Sequence, residues 1–556
     1  MKVSRRDLLV GGAGVTAGFL FTPVPWKLLG DVSIWTQNWP WIPQPAHGPV
    51  DTKQSACTLC AAGCGIRVRM AAGWPVGISG VKTNPMTKGT LCPLGFAAHQ
   101  LNWHPRRLRE VRHRGRTASW ADAQTAFEKA CTEGPVAISD GRPGRAASSV
   151  LQAFAAKHNG SYRVVPSPET QALTPYADWS GVPVSALGYD LENARTIVSF
   201  GASLLDGWGT PGRFTHLWSE KAAGATDPQL RLLQIEPTLS RSAARAWRWI
   251  PIREGSEGAL ATGLARVLLE ERLMATQSPM APMTLEDAAA QTGLGTEAIR
   301  DLARTLVEQR PTLVIAADGN PAIAALNHLL GAMGSPGGIV LKSKSNLSHV
   351  PPQPNIGPNR ALLLDSSIPW DFVPETNAEV FRFAAWDGGS SKADWLLPSP
   401  GFLEELTDVP TAPTSAVDTY AVSVNLIQQS EEVKSTAQFL AKIDSTLPDV
   451  EKLIHSRCEE IFGAKLGMVF AEQQTPVTKF ESAQKLEEQL RQGAIWVGNP
   501  PKPGGFRCIL QEWPARTTPS HTSDWAAAWL PPVLPPLAAK LYQESNLRDV
   551  PARREV

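Results

Sequence analysis

Three cysteines, Cys57, Cys60 and Cys64, stand close together early in this chain, and a fourth, Cys92, follows with 27 residues between. This C-x2-C-x3-C-x27-C pattern constrains the fold more than any other feature. A [4Fe–4S] cubane needs four converging thiolates, and three on one loop plus a distant fourth can enclose it. The loop carries Ala61, Ala62, Gly63 and Gly65, small residues that let backbone N–H groups approach the sulfurs. Two other uses of four cysteines fit less well. Structural zinc ordinarily takes two C-x2-C pairs or cysteine–histidine mixtures. Disulfides need Cα pairs within reach, and a chain of 556 residues can bury a sufficient core without them.

Composition removes several function classes. The formal net charge is +1, with no nucleic-acid footprint. The one basic cluster, Arg106, Arg107, Arg109, Arg112, Arg114 and Arg116, reads as a solvated face, with docking of an acidic partner as the other reading. Cys131, Cys458 and Cys508 are isolated and are expected to behave as buried apolar residues. There is no C-x-x-C-H, hence no site for covalent haem.

The chain opens Ser4-Arg5-Arg6-Asp7-Leu8-Leu9-Val10 and continues apolar to Phe21. This resembles a twin-arginine export signal, a route that suits a protein folded around a cluster before export. The apolar stretch 8–21 has 14 residues, short of the ~20 that a spanning helix needs. Gly11, Gly12, Gly14 and Gly18 suit close packing on another membrane helix. No small-x-small cleavage site follows. Pro23 and Pro25 would end the helix, and Trp26, Lys27, Trp35, Trp39 and Trp41 suit a headgroup layer or a subunit interface. The expectation is a retained anchor within 1–47, on the periplasmic side of the cytoplasmic membrane.

Beyond the cysteines, apolar runs at 195–200, 230–235 and 312–316 predict buried parallel strands. Helical periodicity at 257–271, at 285–308 (two helices divided near Gly293) and at 320–333 alternates with them, which predicts stacked α/β layers. After 411 the pattern changes. One helical stretch at 482–492 is followed by proline-rich segments holding Pro500, Pro501, Pro503, Pro531, Pro532, Pro535 and Pro536. There is no internal repeat.

The residues around the cysteines carry a family resemblance. Asn84-Pro85-Met86-Thr87-Lys88-Gly89-Thr90-Leu91-Cys92 is followed by His104-Pro105-Arg106-Arg107-Leu108 and Ser119-Trp120-Ala121-Asp122-Ala123. Asp190-Leu191-Glu192-Asn193-Ala194 comes next, then Glu236-Pro237 through Trp249-Ile250-Pro251-Ile252-Arg253-Glu254-Gly255. Leu326-Asn327 with Pro336-Gly337-Gly338, and Ala393-Asp394-Trp395-Leu396-Leu397-Pro398 with Glu404, complete the series. In this order and spacing the fragments resemble the molybdopterin oxidoreductase family. The resemblance implies a multidomain α/β fold: a [4Fe–4S] domain at 48–118 with Cys57, Cys60, Cys64 and Cys92 as ligands, one α/β domain from 119–178 and 345–410, and a second inserted at 179–344. A reduced C-terminal region would occupy 411–556.

Several positions depart from the family's catalytic members. The Lys or Arg two residues after the fourth cysteine is Leu94 here. No cysteine lies between Gly141 and Asp190 to ligate molybdenum, and nothing marks Ser161, Ser167 or Ser180 for that role. Glu236, Thr238 and Trp247 replace the family's Asp, Arg and Asp at the pterin-nucleotide site. Neither a C-terminal β-barrel nor a G-x-V-x-x-P-H stretch is evident in 411–556. The expectation is one [4Fe–4S] cluster and no molybdopterin. Residues 25–29 and 530–545 resemble the molybdenum-free subunits of the quinone reductase complex (Qrc) and of alternative complex III. That branch implies a multihaem cytochrome c subunit, a ferredoxin-like multi-cluster subunit and an NrfD-type membrane quinone-binding subunit as partners. No second set of cysteine motifs is present, which favours the Qrc-like arrangement. Three roles follow for testing: an electron-transfer subunit, an active molybdenum or tungsten bis-pterin enzyme, and a structural subunit whose cluster lies off the electron path.

Overall fold

The structure is a computed structural model that describes residues 4–21, 48–205, 207–224, 228–274, 279, 281–343, 359–368, 377–387, 393–501, 504, 510 and 513–514. Cys508, Pro23, Pro25, the tryptophans at 26, 35, 39 and 41, and the segment 530–545 lie outside these residues. The chain divides into two compact units, 1–52 with 69–76, and 53–68 with 77–556.

The smaller unit contains the helix Arg5–Phe21. Ser4 begins it: the Ser4 backbone N–H donates to Asp7 Oδ2 at 3.2 Å, and the Asp7 N–H donates to Ser4 Oγ at 3.1 Å, a reciprocal cap of the free helix end. Leu8, Leu9, Val10 and Val15 of this helix are exposed. Among the described residues no helix is long and apolar enough to cross a membrane.

The larger unit is built on sheets. Its seven-stranded sheet runs, edge to edge, Arg116–Ala118, Val111–His113, Trp395–Pro398, Glu379–Ala384, Ala361–Leu364, Val136–Asp140, Ser161–Val164. The last five are mutually parallel. Parallel strands need covered faces, which explains the apolar runs at 136–138 and over Ala361–Leu364. Phe127 packs edge-on against Phe381, with centroids 5.1 Å apart, in the core beneath. The chain leaves this sheet after Ser161–Val164 and returns at Ala361–Leu364. In between it forms a four-stranded parallel sheet, Arg248–Ile250, Arg231–Ile235, Thr196–Phe200, Thr312–Ala316.

The strands predicted at 195–200, 230–235 and 312–316 are therefore present. The two helices expected within 285–308 are Leu285–Thr292 and Thr296–Glu308. Gly293 ends the first in the left-handed conformation (φ 79°), the usual role of a glycine just past a helix. The helix expected over 320–333 is shorter, Pro321–Leu329, capped by Asn320 and followed by a positive-φ turn at Gly331.

The region after 411 holds more structure than its sequence pattern indicates. Thr407–Val409, Thr419–Ser423, Ile495–Val497, Met468–Phe470 and Gln474–Pro476 form an antiparallel sheet in that order. The helices Val450–Ala464 and Ala483–Arg491 bury Ile454, Ile461, Leu486 and Leu490 in the core that this sheet shares. Its strands are three to five residues long, too short for a clear alternation signal. Cys458 is fully buried here, as its isolation predicts. The basic cluster is not one solvated face. Arg107 is buried against Glu404, while Arg112 and Arg114 pair with Asp387 and Asp394.

Candidate iron–sulfur site

The first three cysteines lie on the loop that links the strands Val50–Ala56 and Gly65–Ala71. The loop closes on itself through the Cys57 N–H, which donates to the Cys64 carbonyl at 2.8 Å. Gly63 turns the chain at φ 58°, where a Cβ would meet Val409 Cγ1 at 2.9 Å, so both backbone shape and space call for glycine.

Cys92 is delivered by the Asn-Pro segment. Asn84 Oδ1 accepts from the N–H groups of Met86 (3.0 Å) and Thr87 (3.2 Å), and the Lys88 N–H donates to the Asn84 carbonyl at 2.8 Å. This folds 84–89 into a compact turn with positive φ at Lys88 and Gly89. Cys92 then caps the short helix Pro93–Ala97, its sulfur 3.4 Å from the Gly95 nitrogen. An N–H aimed at a cluster sulfur is one of the contacts that set cluster potential.

All four cysteines line one cavity, together with Leu94, Leu205, Pro211 and Gly212. No motif in the sequence marks Gly212 for this site. A Cβ there would stand 3.1 Å from Cys64 Sγ. None of the four thiols is in a disulfide. Among the described residues no three His, Cys, Asp or Glu side chains stand close enough to hold a single metal ion. The four cysteines converge on one cavity, as a cluster held by four thiolates requires. The free volume is about 20 Å³, room for little more than one water. Bonded iron approaches sulfur more closely than any unbonded atom, so the sulfurs themselves form the walls of such a site.

Burial controls the electrostatics. It pushes the Cys57, Cys64 and Cys92 thiols up, and it raises Cys60 to about 11, with neighbouring Cys92 adding to the effect. Four buried sulfurs ionise together only when a positively charged partner offsets the desolvation and their mutual repulsion. The iron of a cluster bound to Cys57, Cys60, Cys64 and Cys92 would supply that charge.

A larger cavity, about 370 Å³, adjoins the loop at Cys60 and is lined by Arg142, Arg145, Val165, Ser167 and Glu169 among others. Arg145 reaches Asp140 at 2.9 Å and Asp365 at 2.7 Å. Burial alone would raise the Asp365 pKa, but Arg145 and the hydroxyls of Ser367 and Thr436 outweigh it and hold it at about 2. Glu169 accepts the Gly209 N–H at 2.6 Å. Of the three serines weighed as metal ligands, only Ser167 lines this cavity, and its Oγ caps the helix Pro168–Ser180. Ser161 is wholly buried in its strand, and Ser180 Oγ donates to the Tyr176 carbonyl at 2.6 Å. Arg142 and Arg145 are not legible in the sequence as neighbours of the cysteines, because nothing in the cysteine spacing points to 141–145.

Residues 50–102 match the Molybdopterin oxidoreductase Fe4S4 domain. Over 365 residues the chain is 32% identical to the menaquinone reductase, molybdopterin-binding-like subunit of Nitratidesulfovibrio vulgaris, covering 61% of this chain and 52% of that protein. Over 439 residues it is 23% identical to the thiosulfate reductase molybdopterin-containing subunit PhsA of Salmonella typhimurium, covering 70% and 54%. The chain thus spans about half the length of these curated relatives. Its fold resembles that of acetylene hydratase from Pelobacter acetylenicus, with a TM-score of 0.57 over 81% of this chain and 74% of that one, at 12% identity. The cysteine loop and the Asn84 turn thus lie within a stretch that matches the Molybdopterin oxidoreductase Fe4S4 domain, and beyond it the chain is similar to subunits of molybdopterin-type oxidoreductases.

Proposed function

We propose that the chain is an iron–sulfur electron-transfer and scaffold subunit of a membrane-bound menaquinone (quinone) oxidoreductase complex, of Qrc or alternative complex III type, and that it works without molybdenum cofactor. One observation carries the reading: four cysteines ring one cavity, while among the described residues the larger cavity beside it is lined by no thiol but Cys60. A cluster in the first cavity passes one electron at a time; the second lacks the cysteine or selenocysteine that would anchor molybdenum.

Further residues support the absence of pterin. Leu94, apolar, lines the cluster cavity where catalytic relatives carry a cation. The Trp247 ring is covered by the Arg231 guanidinium, 4.6 Å from its centroid. The buried Glu236 carboxylate accepts from Gln234 Nε2 at 2.8 Å and from the Ser240 N–H at 3.3 Å, so it is already engaged within its own loop.

In this reading the partners are a multihaem cytochrome c, a ferredoxin-like multi-cluster subunit and an NrfD-type quinone-binding membrane subunit. Export is by the twin-arginine route to the periplasmic face of the membrane. The exposed apolar residues of the helix Arg5–Phe21 support attachment there. The name of the Nitratidesulfovibrio relative, a menaquinone reductase subunit, agrees with the quinone assignment.

The second reading is an active molybdenum or tungsten bis-pterin enzyme. It draws on the molybdopterin-containing relatives and on Ser167 at the cavity wall. A metal inventory of the purified chain separates the two. About four iron per chain with neither molybdenum nor tungsten, and background pterin fluorescence after acid oxidation, is the expected result. Molybdenum or tungsten near one per chain would establish the enzyme instead. In the assembled complex, cluster-to-haem spacing beyond tunnelling range would reduce the subunit to scaffold.

A further inference from the structure

We infer that Arg142 is the positive charge that sets the potential of the cluster, a positioning residue acting through the loop that holds it. The inference rests on the proposed cluster at Cys57, Cys60, Cys64 and Cys92. The Arg142 guanidinium lies across that loop, Nη1 donating to the Thr58 carbonyl and Nη2 to the Leu59 carbonyl. Both carbonyls belong to the two residues between Cys57 and Cys60, so the cation is fixed between two of the four ligands. It also lines the cavity that Cys60 opens onto.

The surroundings hold Arg142 there without neutralising it. Its backbone N–H donates to Asp140 Oδ1 at 2.8 Å, and its carbonyl accepts from Arg145 Nε at 2.9 Å and Ser148 Oγ at 3.2 Å. Asp140 and Asp365 face Arg145, which pairs with both. Among the described residues no carboxylate forms an ion pair with the Arg142 guanidinium itself, which donates to the two loop carbonyls. A guanidinium stays charged in any protein setting. A half-buried cation with neutral partners, laid against an anionic centre, is a counter-ion for that centre. Leu94, which also lines the cavity of the four cysteines, brings no charge to it.

The consequence is a direction of shift. Reduction adds one electron and no proton, taking the thiolate-ligated cluster from doubly to triply negative. A fixed positive charge favours the more negative state, so Arg142 raises the potential; net charge and hydrogen bonding near the sulfurs are established determinants of it.

The test is an anaerobic redox titration of the full chain with dithionite as reductant, followed by the paramagnetic resonance of the reduced cluster, with iron per chain measured first. Arg142→Gln should keep its iron and shift the reduced-to-oxidised ratio at fixed ambient potential at least tenfold toward oxidised, which is 59 mV for a one-electron couple. Arg142→Lys keeps the charge and should stay within about threefold of wild type, well under that 59 mV step. An unshifted ratio in iron-loaded R142Q, or a tenfold shift in R142K, would overturn the inference and leave the cluster standing. If R142Q cannot hold iron, R142K alone decides by the same criterion. Wild-type chain without iron would remove the cluster reading and this inference with it.

Discussion

Arg107 Nη2 donates to Glu404 Oε2 at 2.6 Å, joining two residues 297 positions apart. The same guanidinium donates through Nη1 to the carbonyls of Ala385 (2.7 Å) and Ser399 (2.9 Å) and lies over the Trp386 ring, 5.6 Å from its centroid. Arg107 belongs to the His-Pro motif that follows the cysteines, and Glu404 follows the Leu-Pro motif of a distant strand. Two fragments that carry the family resemblance are thus the two halves of one buried ion pair. Asp190 behaves likewise: its Oδ2 accepts the Gly337 N–H at 2.8 Å, linking the motif that holds Asn193 to the Pro-Gly-Gly turn. In this chain such motif residues hold the α/β body together.

With side-chain exposures of 5% and 12%, the Arg107–Glu404 pair is nearly dry. Arg107→Met leaves Glu404 charged and unpaired, and such a change costs about 3–5 kcal/mol. Arg107→Met combined with Glu404→Leu removes both charges and should recover much of the loss. Denaturant unfolding followed by tryptophan fluorescence would read this; equal losses in the single and double variants would contradict it.

Cys60→Ser replaces one of the four converging sulfurs with a poor iron ligand. The variant should lose most of its iron, its visible charge-transfer absorbance, or its folded state. Wild-type iron content in C60S would remove Cys60 from the ligand set.

Gly212 packs tightly beside Cys64: a Cβ at this position would stand 3.1 Å from the sulfur, close enough to make it shift. Overpacking a tight site costs about 1–3 kcal/mol. Gly212→Val should therefore speed cluster loss to an iron chelator by about tenfold or more, since ~1.4 kcal/mol is a factor of ten. Gly212→Ala should have a smaller effect. Identical loss rates in all three proteins would show that the close approach does not matter.

Glu405 supplies the pH prediction. Burial raises its pKa to about 7, despite the lowering effect of the Ser435 hydroxyl and Arg145. Between about 4.5 and 7 the unfolded chain has released this proton and the folded chain keeps it, so stability from this group falls as pH rises through that window. Glu405→Gln does not ionise. Its stability relative to wild type should improve between about pH 5 and 7, level off above, and reach at most about 3 kcal/mol. Melting curves at several pH values across and above that window would check this, and a gap independent of pH would rule it out.

The sequence by itself determined the local chemistry. Cysteine spacing, the small residues of the loop and the Asn-Pro turn are short-range features, and a few residues of backbone suffice to express them. The strands Thr196–Phe200, Arg231–Ile235 and Thr312–Ala316 were legible because burial on both faces leaves a mostly apolar run. The sheet after 407 was not, because strands of three to five residues carry too little periodicity to separate them from loops. Only the tertiary structure decided which distant residues meet. Asn327 Nδ2 donates to both the Val314 carbonyl and the Tyr176 hydroxyl at 2.7 Å, Arg107 finds Glu404, and Arg142 lies across the cysteine loop. Buried polar groups must be satisfied somewhere, but their partners are chosen by how the layers pack, and no residue's immediate neighbours record that choice.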